Sequence, residues 1–336
     1  MARLHPEIRA AAEQFVLLRI GNMRGVDLSI FDFDYDLSWF AMMLTTDGVV
    51  LGRFGGRDAD TPGKYQTLSG LRHSLETALN RFKLQKNKKP AARKSEFAED
   101  YPAAAKRSDN ACIHCHHVYE FRRDAMQQDK RWSLDELWVY PQPENIGLTL
   151  APQRGDHVTA VQPGSQAELN LRPKDVLTRI GDAPIASVAD VQYALQLART
   201  QKELTLAWQR DGKPMNGTIQ LPDKWRHTDL SWRWSLKSMS PNPSIIGDDL
   251  SAEDRKSLGL DPNQLAYRHM NFLTPPARHA GLRANDVIIG VDDTQLSMTA
   301  RQFETHIRLN YRAGQEITLN VLRGKDKMKL KMKLPE

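Results

Sequence analysis

The chain has 336 residues, 40% apolar and 26% charged, with a formal net charge of +6 and two cysteines. That length carries two or three domains with full cores, and two cysteines exclude a disulfide-stapled scaffold. No apolar run reaches the roughly 18–20 residues of a membrane span, and residues 1–14 lack the apolar core of a signal peptide, so no integral membrane segment is expected.

The basic excess gathers in two places. Arg81, Lys83, Lys86, Lys88, Lys89, Arg93 and Lys94 are accompanied by one aromatic, Phe82. A nucleic-acid surface interleaves several aromatics with its cations, so this run reads as a solvated linker and no nucleic-acid partner is expected. Lys325, Lys327, Lys329, Lys331 and Lys333 alternate with Met328, Leu330, Met332 and Leu334. A period of two is a strand with lysines outward.

In chain order, residues 1–85 read as an α/β unit. A helix is expected over 8–14 and a short buried strand over 15–20. A hairpin is expected over 39–54, around Asp47 and Gly48. Leu68, Leu71, Leu75, Ala78, Leu79 and Phe82 then recur at helical spacing. Helix, strand, hairpin, helix is the order of the C-terminal half of a thioredoxin-like fold. Asp32, Asp34 and Asp36 alternate with Phe31, Phe33 and Tyr35, which predicts a strand edge with its aromatics inward. Residues 86–108, with Pro90 and Pro102, read as a basic linker, and 109–140 hold both cysteines and a histidine cluster.

That cluster is Cys112-Ile113-His114-Cys115-His116-His117. Cys-x-x-Cys-His is the attachment signature of c-type haem, with the adjacent His116 as axial ligand; Met126 is the nearest candidate for a sixth ligand. Thiolate with imidazole also suits zinc or copper, using Cys112, Cys115 and two of His114, His116 and His117. A redox dithiol and a structural disulfide are the remaining readings.

Residues 145–222 and 244–335 are an internal repeat. Leu171-Arg172-Pro173-Lys174-Asp175-Val176-Leu177 answers to Leu282-Arg283-Ala284-Asn285-Asp286-Val287-Ile288, and each run is followed by a helical stretch and two strands. With Val161-Gln162-Pro163-Gly164-Ser165-Gln166-Ala167 before it, the first run resembles the circularly permuted PDZ domain of secreted bacterial proteases. Asn170 replaces a usual glycine of that pattern, and Lys174 and Asn285 stand where it has glycine before the aspartate. The resemblance implies PDZ-like β-barrel domains over 141–224 and 244–336, each binding an extended peptide or a protein C-terminus by strand addition. In the first copy Ile146, Gly147 and Leu148 would form the carboxylate loop, and Val191, Ala194 and Leu195 would wall the side-chain pocket. In the second, Leu258-Gly259-Leu260 is the loop candidate. A PDZ-shaped spacer with its groove filled by its own chain is the alternative.

Gly52-Arg53-Phe54-Gly55-Gly56-Arg57-Asp58, Ala111-Cys112-Ile113-His114-Cys115-His116 and Trp232-Arg233-Trp234-Ser235-Leu236 extend the likeness. Together with residues 23–28 and 31–39, they make the whole chain resemble a bacterial family of thioredoxin-like/PDZ proteins, some of which carry selenocysteine. The fold this implies is an α+β multidomain chain. It consists of a truncated thioredoxin-like α/β domain lacking its N-terminal redox pair, the Cys-x-x-Cys-His segment, and the two PDZ-like domains.

The function expected is a periplasmic or cell-envelope protein that binds peptide termini and carries a haem c-like or metal centre at Cys112, Cys115 and His116. Its role would be redox or electron transfer with a redox partner protein. The alternatives are a thiol-disulfide oxidoreductase whose catalytic pair is absent from this chain, and a non-redox PDZ scaffold with a zinc site. No Gly-x-Ser-x-Gly, Gly-x-x-x-x-Gly-Lys or His-Glu-x-x-His motif is present, so no catalytic residue is assigned.

Overall fold

The computed structural model describes residues 5–58, 61–84, 92–107, 111–292 and 294–335. The chain divides into two compact units, Met1–Thr228 and Asp229–Glu336.

The first unit opens with helix α1 (Pro6–Ala12), then strands β1 (Phe40–Leu44) and β2 (Val50–Gly55), then helix α2 (Leu68–Leu84). Pro6 fits the first turn of α1, where no intrahelical N–H is required. The strands form a two-stranded antiparallel hairpin. Ala11, Ala12, Met43, Leu51, Phe54, Leu75 and Ala78 make a core between the helices and this ribbon.

The thioredoxin-like expectation is corrected here. The apolar run over 15–20 forms no strand, and Val16 and Leu18 are 88% and 86% exposed. The two helices already cover the ribbon, and the ribbon does not extend into the central sheet a thioredoxin-like domain is built on.

In the described part of the expected linker, residues 92–95 are exposed as expected, but from Glu96 on the chain packs into the core. It makes two 3-10 turns, Ala98–Asp100 and Ala104–Lys106. These bury Ala98, Ala103 and Ala104 with Met23, Leu28, Phe33, Tyr35, Ile113, Val118 and Phe121. Lys86, Lys88, Lys89 and Pro90 lie outside the described residues. The run from Phe31 to Asp36 turns its aromatics inward as expected, but as a series of turns. Its carboxylates serve tyrosines: Asp32 accepts from the Tyr140 hydroxyl at 2.6 Å and Asp34 from the Tyr119 hydroxyl at 3.2 Å. Helix α3 (Cys115–Gln128) completes this second small core.

The first repeat follows as β3 (Leu148–Ala151), β4 (Arg154–Val161), β5 (Val176–Ile180), β6 (Ala183–Pro184), α4 (Val188–Leu197), β7 (Glu203–Arg210) and β8 (Lys213–Gln220). Its strands run β3-β4-β5-β7-β8, all antiparallel, with β6 beside β5. The second unit holds β9 (Gly247–Asp249), α5 (Ala252–Ser257), β10 (Tyr267–His269), α6 (Pro275–His279), β11 (Val287–Val291), α7 (Ala300–Asn310), β12 (Glu316–Arg323) and β13 (Asp326–Lys333). Its path, β9-β10-β11-β12-β13, repeats the first. Both sheets have two ends, so the expected closed barrels are corrected to open sheets. On β13 the lysines face solvent and Met332 is buried, as the alternation predicts.

One lock is built twice. Buried Asp175 takes both arms of Arg210, at 2.9 and 2.8 Å, and the Arg172 amide at 2.8 Å. Asp286 does the same with Arg323, at 2.9 and 2.8 Å, and with the Arg283 amide at 2.8 Å. The repeated Asp-Val run therefore ties the turn before the third strand to the fourth strand of each sheet. A bidentate pair fixes geometry that a single contact would leave free.

Candidate functional site

The first sheet ends on β3, and the chain enters it through a 3-10 turn, Pro143–Ile146, capped by Gly147. Gln142 and Asn145 close the turn reciprocally, and the Asn145 amide group reaches the Trp225 carbonyl at 2.9 Å. Gly147 sits at φ +84°, where a side chain would strain the backbone and overlap Ser165. Its N–H donates to the Glu144 carbonyl at 3.0 Å and its carbonyl accepts from Gln162 at 2.8 Å.

Leu148 and Leu150 then point inward beneath α4. Ile146, Leu148, Val191, Ala194 and Leu195, five of the six residues expected to line the peptide site, lie in one buried cluster, and Gly147 stands at its edge. Ser187 caps the N-terminus of α4 by accepting from the Asp190 amide. The outer face of α4 is held from behind. Asp190 accepts from the Arg53 amide at 3.1 Å, the Ser187 hydroxyl donates to the Arg53 carbonyl at 2.6 Å, and the Arg53 guanidinium lies 3.4 Å over the Tyr193 ring. Burial pushes the Asp190 carboxyl up to about 6, against the pull of Arg53 and Arg81. Strand β2 thus braces the helix that walls the site.

Three residues that the sequence reading passed over reach the same place. Tyr65 is only 2% exposed and belongs to the cluster of Ile146, Leu148 and Leu195. Its hydroxyl donates to the Glu144 carboxylate at 3.1 Å, and Lys64 stands 3.6 Å from that carboxylate and 2.9 Å from Asp58. Burial, with Glu144 beside it, lifts the Tyr65 hydroxyl to about 12. No local signal marks Tyr65, since it lies in a turn 81 positions before Ile146.

In the second repeat the expected loop is misplaced. Leu258 is the C-cap of α5 and Gly259, at φ +68°, ends that helix. The strand equivalent to β3 is β9, entered through Ile246 and Gly247. Setting Asn145-Ile146-Gly147-Leu148 beside Ile245-Ile246-Gly247-Asp248 would have found it.

The cysteine and histidine cluster lies at the start of α3. Cys112 is exposed ahead of the helix, and Cys115, its first residue, is half-buried with its thiol pushed up by burial. A raised thiol is a poor thiolate, the opposite of what a redox dithiol requires. His114 is the N-cap, and its amide donates to His117 Nδ1 at 3.0 Å. His116 Nδ1 donates to Glu120 one turn on, at 2.7 Å. Burial holds the His117 imidazole down to about 4, assisted by His116, Arg107 and His114. Nitrogen and oxygen atoms of His116, His117 and Glu120 fall within 4.8 Å of one another. The histidines serve as a helix cap and an i,i+4 pair, which accounts for them without an attached group.

Comparison with known proteins bears on these sites. Family models described as PDZ domain match residues 138–209 and 273–334, so the chain contains two PDZ domains. A probable periplasmic serine protease do/HhoA-like of Haemophilus influenzae is 27% identical over 184 residues, 53% of this chain and 35% of that protein. The periplasmic pH-dependent serine endoprotease DegQ of Escherichia coli is 27% identical over 156 residues, 46% of this chain and 31% of that one. The chain thus spans about a third of the length of these relatives. Among solved structures, the HtrA-type protease AlgW with decapeptide aligns at 20% identity and a TM-score of 0.28, over 53% of this chain and 54% of that one.

These relatives are serine proteases, and this overturns the expected haem c, its zinc alternative and the redox or electron-transfer role with its redox partner. The thiol-disulfide oxidoreductase and zinc-scaffold alternatives fall with them. Both relatives are periplasmic, the compartment expected for this chain. Among the described residues, no helix is long and apolar enough to cross a membrane.

Proposed function

We propose that the chain binds extended peptides and protein C-termini in the periplasm through the first of its two PDZ domains, which are bounded at 141–224 and 244–336. It would hold them for proteolysis of the kind its relatives carry out. The observation supporting this is the first sheet's end strand: β3 begins at the Gly147 turn and lies against the buried apolar face of α4. A peptide added to that strand would gain main-chain hydrogen bonds along β3 and side-chain burial among Ile146, Leu148, Val191, Ala194 and Leu195. Strand addition leads this reading and the terminal carboxylate follows. The Gly147 N–H already serves Glu144, and a bound carboxylate would compete with that bond.

The test is hydrogen exchange on the full chain with a decapeptide library randomised at its last three positions and free at its C-terminus. Exchange at residues 148–151 should slow with the library present. Amidating the peptides should weaken binding by about tenfold if a charge-assisted bond of about 1.4 kcal/mol is lost. Binding that leaves residues 148–151 unprotected would place the peptide site elsewhere.

A further inference from the structure

We propose that the first PDZ groove is closed by the chain's own Tyr65, and that a peptide enters by displacing the segment Thr61–Thr67. This rests on the reading above that the groove beside β3 is the peptide site.

The occupant is identified by its surroundings. Tyr65 leaves the turn between β2 and α2 and is buried with the five apolar residues of the expected pocket. Its hydroxyl and the Lys64 ammonium both meet Glu144, on the turn that leads into β3. Two residues on, the Thr67 hydroxyl donates to the Pro152 carbonyl at 3.0 Å, just past the other end of β3. One turn into α2, His73 pairs with Asp156 on β4 at 3.1 Å. Residues 64–73 therefore follow the β3–β4 hairpin from the Gly147 turn to beyond its tip, over the ground a docked ligand would cover but in the opposite chain direction, since a ligand ending in a carboxylate at Gly147 runs toward that turn.

The manner of docking makes the segment displaceable. Its main-chain bonds are local turns: the Lys64 N–H donates to the Thr61 carbonyl and the Gln66 N–H to the Gly63 carbonyl, each at 3.2 or 3.0 Å. The segment fills the pocket with a side chain and fastens itself through side chains. A true strand ligand would fill the same pocket and add a ladder of main-chain bonds to β3. Such a ligand competes with a segment held by side chains alone. Apparent affinity is then the intrinsic affinity multiplied by the fraction of molecules with the groove open, so a segment closed 90% of the time weakens binding about tenfold.

The test uses the full chain, wild type and Tyr65→Ala, with two fluorescein-labelled probes read by anisotropy. One is the free heptapeptide of residues 61–67, Thr-Pro-Gly-Lys-Tyr-Gln-Thr; the other is the decapeptide library. The heptapeptide should bind the Tyr65→Ala chain at least tenfold tighter than wild type. The library should show the same gain. Lys64→Ala, which frees Glu144 of its cation and leaves the pocket filled, should give a smaller gain and guards against a Tyr65→Ala chain that fails to fold. Equal library affinity for wild type and both variants, with residues 148–151 protected, would overturn the closure and leave the peptide reading intact. Heptapeptide binding to Tyr65→Ala without binding of any library member would support the closure and overturn the peptide reading. If neither probe binds a folded variant, the closure is overturned.

Discussion

The two PDZ domains share a scaffold and part company at the strand that would meet a peptide. Strand path, the Asp–Arg lock and the helix packed on the sheet are the same in both. In the first, the end strand is Leu-Thr-Leu-Ala, begins at a left-handed glycine, and shares its buried cluster with Tyr65. In the second it is Gly-Asp-Asp, and Asp249 accepts from the Ala300 amide at the start of α7 at 2.9 Å, so the strand's carboxylate caps the facing helix. The shared glycine answers different needs. Gly147 supplies a positive φ, whereas at Gly247 a side chain would overlap the Arg268 carbonyl of the paired strand. A repeat keeps what closes its core and varies what faces a partner. An apolar edge beside an apolar pocket suits peptide addition; two carboxylates on a short edge discourage it.

The largest expected effect tests whether the shared lock is of equal worth in both copies. Asp175→Ala removes two charge-assisted bonds from Arg210 and one from the Arg172 amide. It should cost about 2–3 kcal/mol, since bonds to a charged group contribute about 1.5–3 and each guanidinium remains partly solvated. Asp286→Ala should cost the same in the second unit. Denaturant titration of each variant checks this, and a difference beyond about 1 kcal/mol would break the equivalence of the two copies.

A middle-sized effect is on the pH dependence, which a single variant should change in one unit alone. His117, in the first, is held neutral down to about 4 from an ordinary 6.5, so the unfolded chain binds its proton first. Its stabilising contribution is complete above the unfolded value and is lost as pH falls from about 6.5 toward about 4. In the second, burial also lowers His306, so that unit too weakens as pH falls below the ordinary histidine range. The first unit's melting temperature should fall by a few degrees across this window, the scale of about 1 kcal/mol in a large domain. His117→Gln should reduce that dependence in the first unit, where burial also lowers His157, and leave the second unchanged. A melting temperature as pH-dependent in the variant as in wild type would show that other groups govern it.

The smallest effect sharpens the comparison at one backbone position. Lys174 and Asn285 hold φ +80° and +68° just before each locked aspartate. Asparagine tolerates this region better than lysine, and glycine best. Lys174→Gly should stabilise the first domain by about 0.5–1 kcal/mol, and Asn285→Gly the second by less, both visible in thermal melts. Equal gains would show that asparagine tolerates this position no better than lysine does.

Much of the two domains was legible because their signals are local. Period-two alternation placed β13, the repeated Leu-Arg-x-x-Asp-Val run placed the two cores, and the Asn145–Leu148 stretch placed the turn into β3. The N-terminal third misled for the same reason. The apolar run over 15–20 has the composition of a strand, and only the lack of a neighbour to pair with leaves it exposed. Cys-x-x-Cys-His carries a strong motif, but burial of Cys115 and the partners of His116 and His117 turn it into the start of a helix.

The sequence by itself therefore determined the repeat, the alternation of β13 and the turn into β3, because periodicity and turn chemistry act over a few neighbours. The tertiary structure alone decided that Tyr65, Lys64 and Thr67 converge on the first groove from far upstream, and that Arg53 braces its helix from behind. A polar-bordered aromatic in a turn has no pattern of its own. Its burial depends on which distant surface has an apolar hollow of the right size, and that is settled only when the cores have packed.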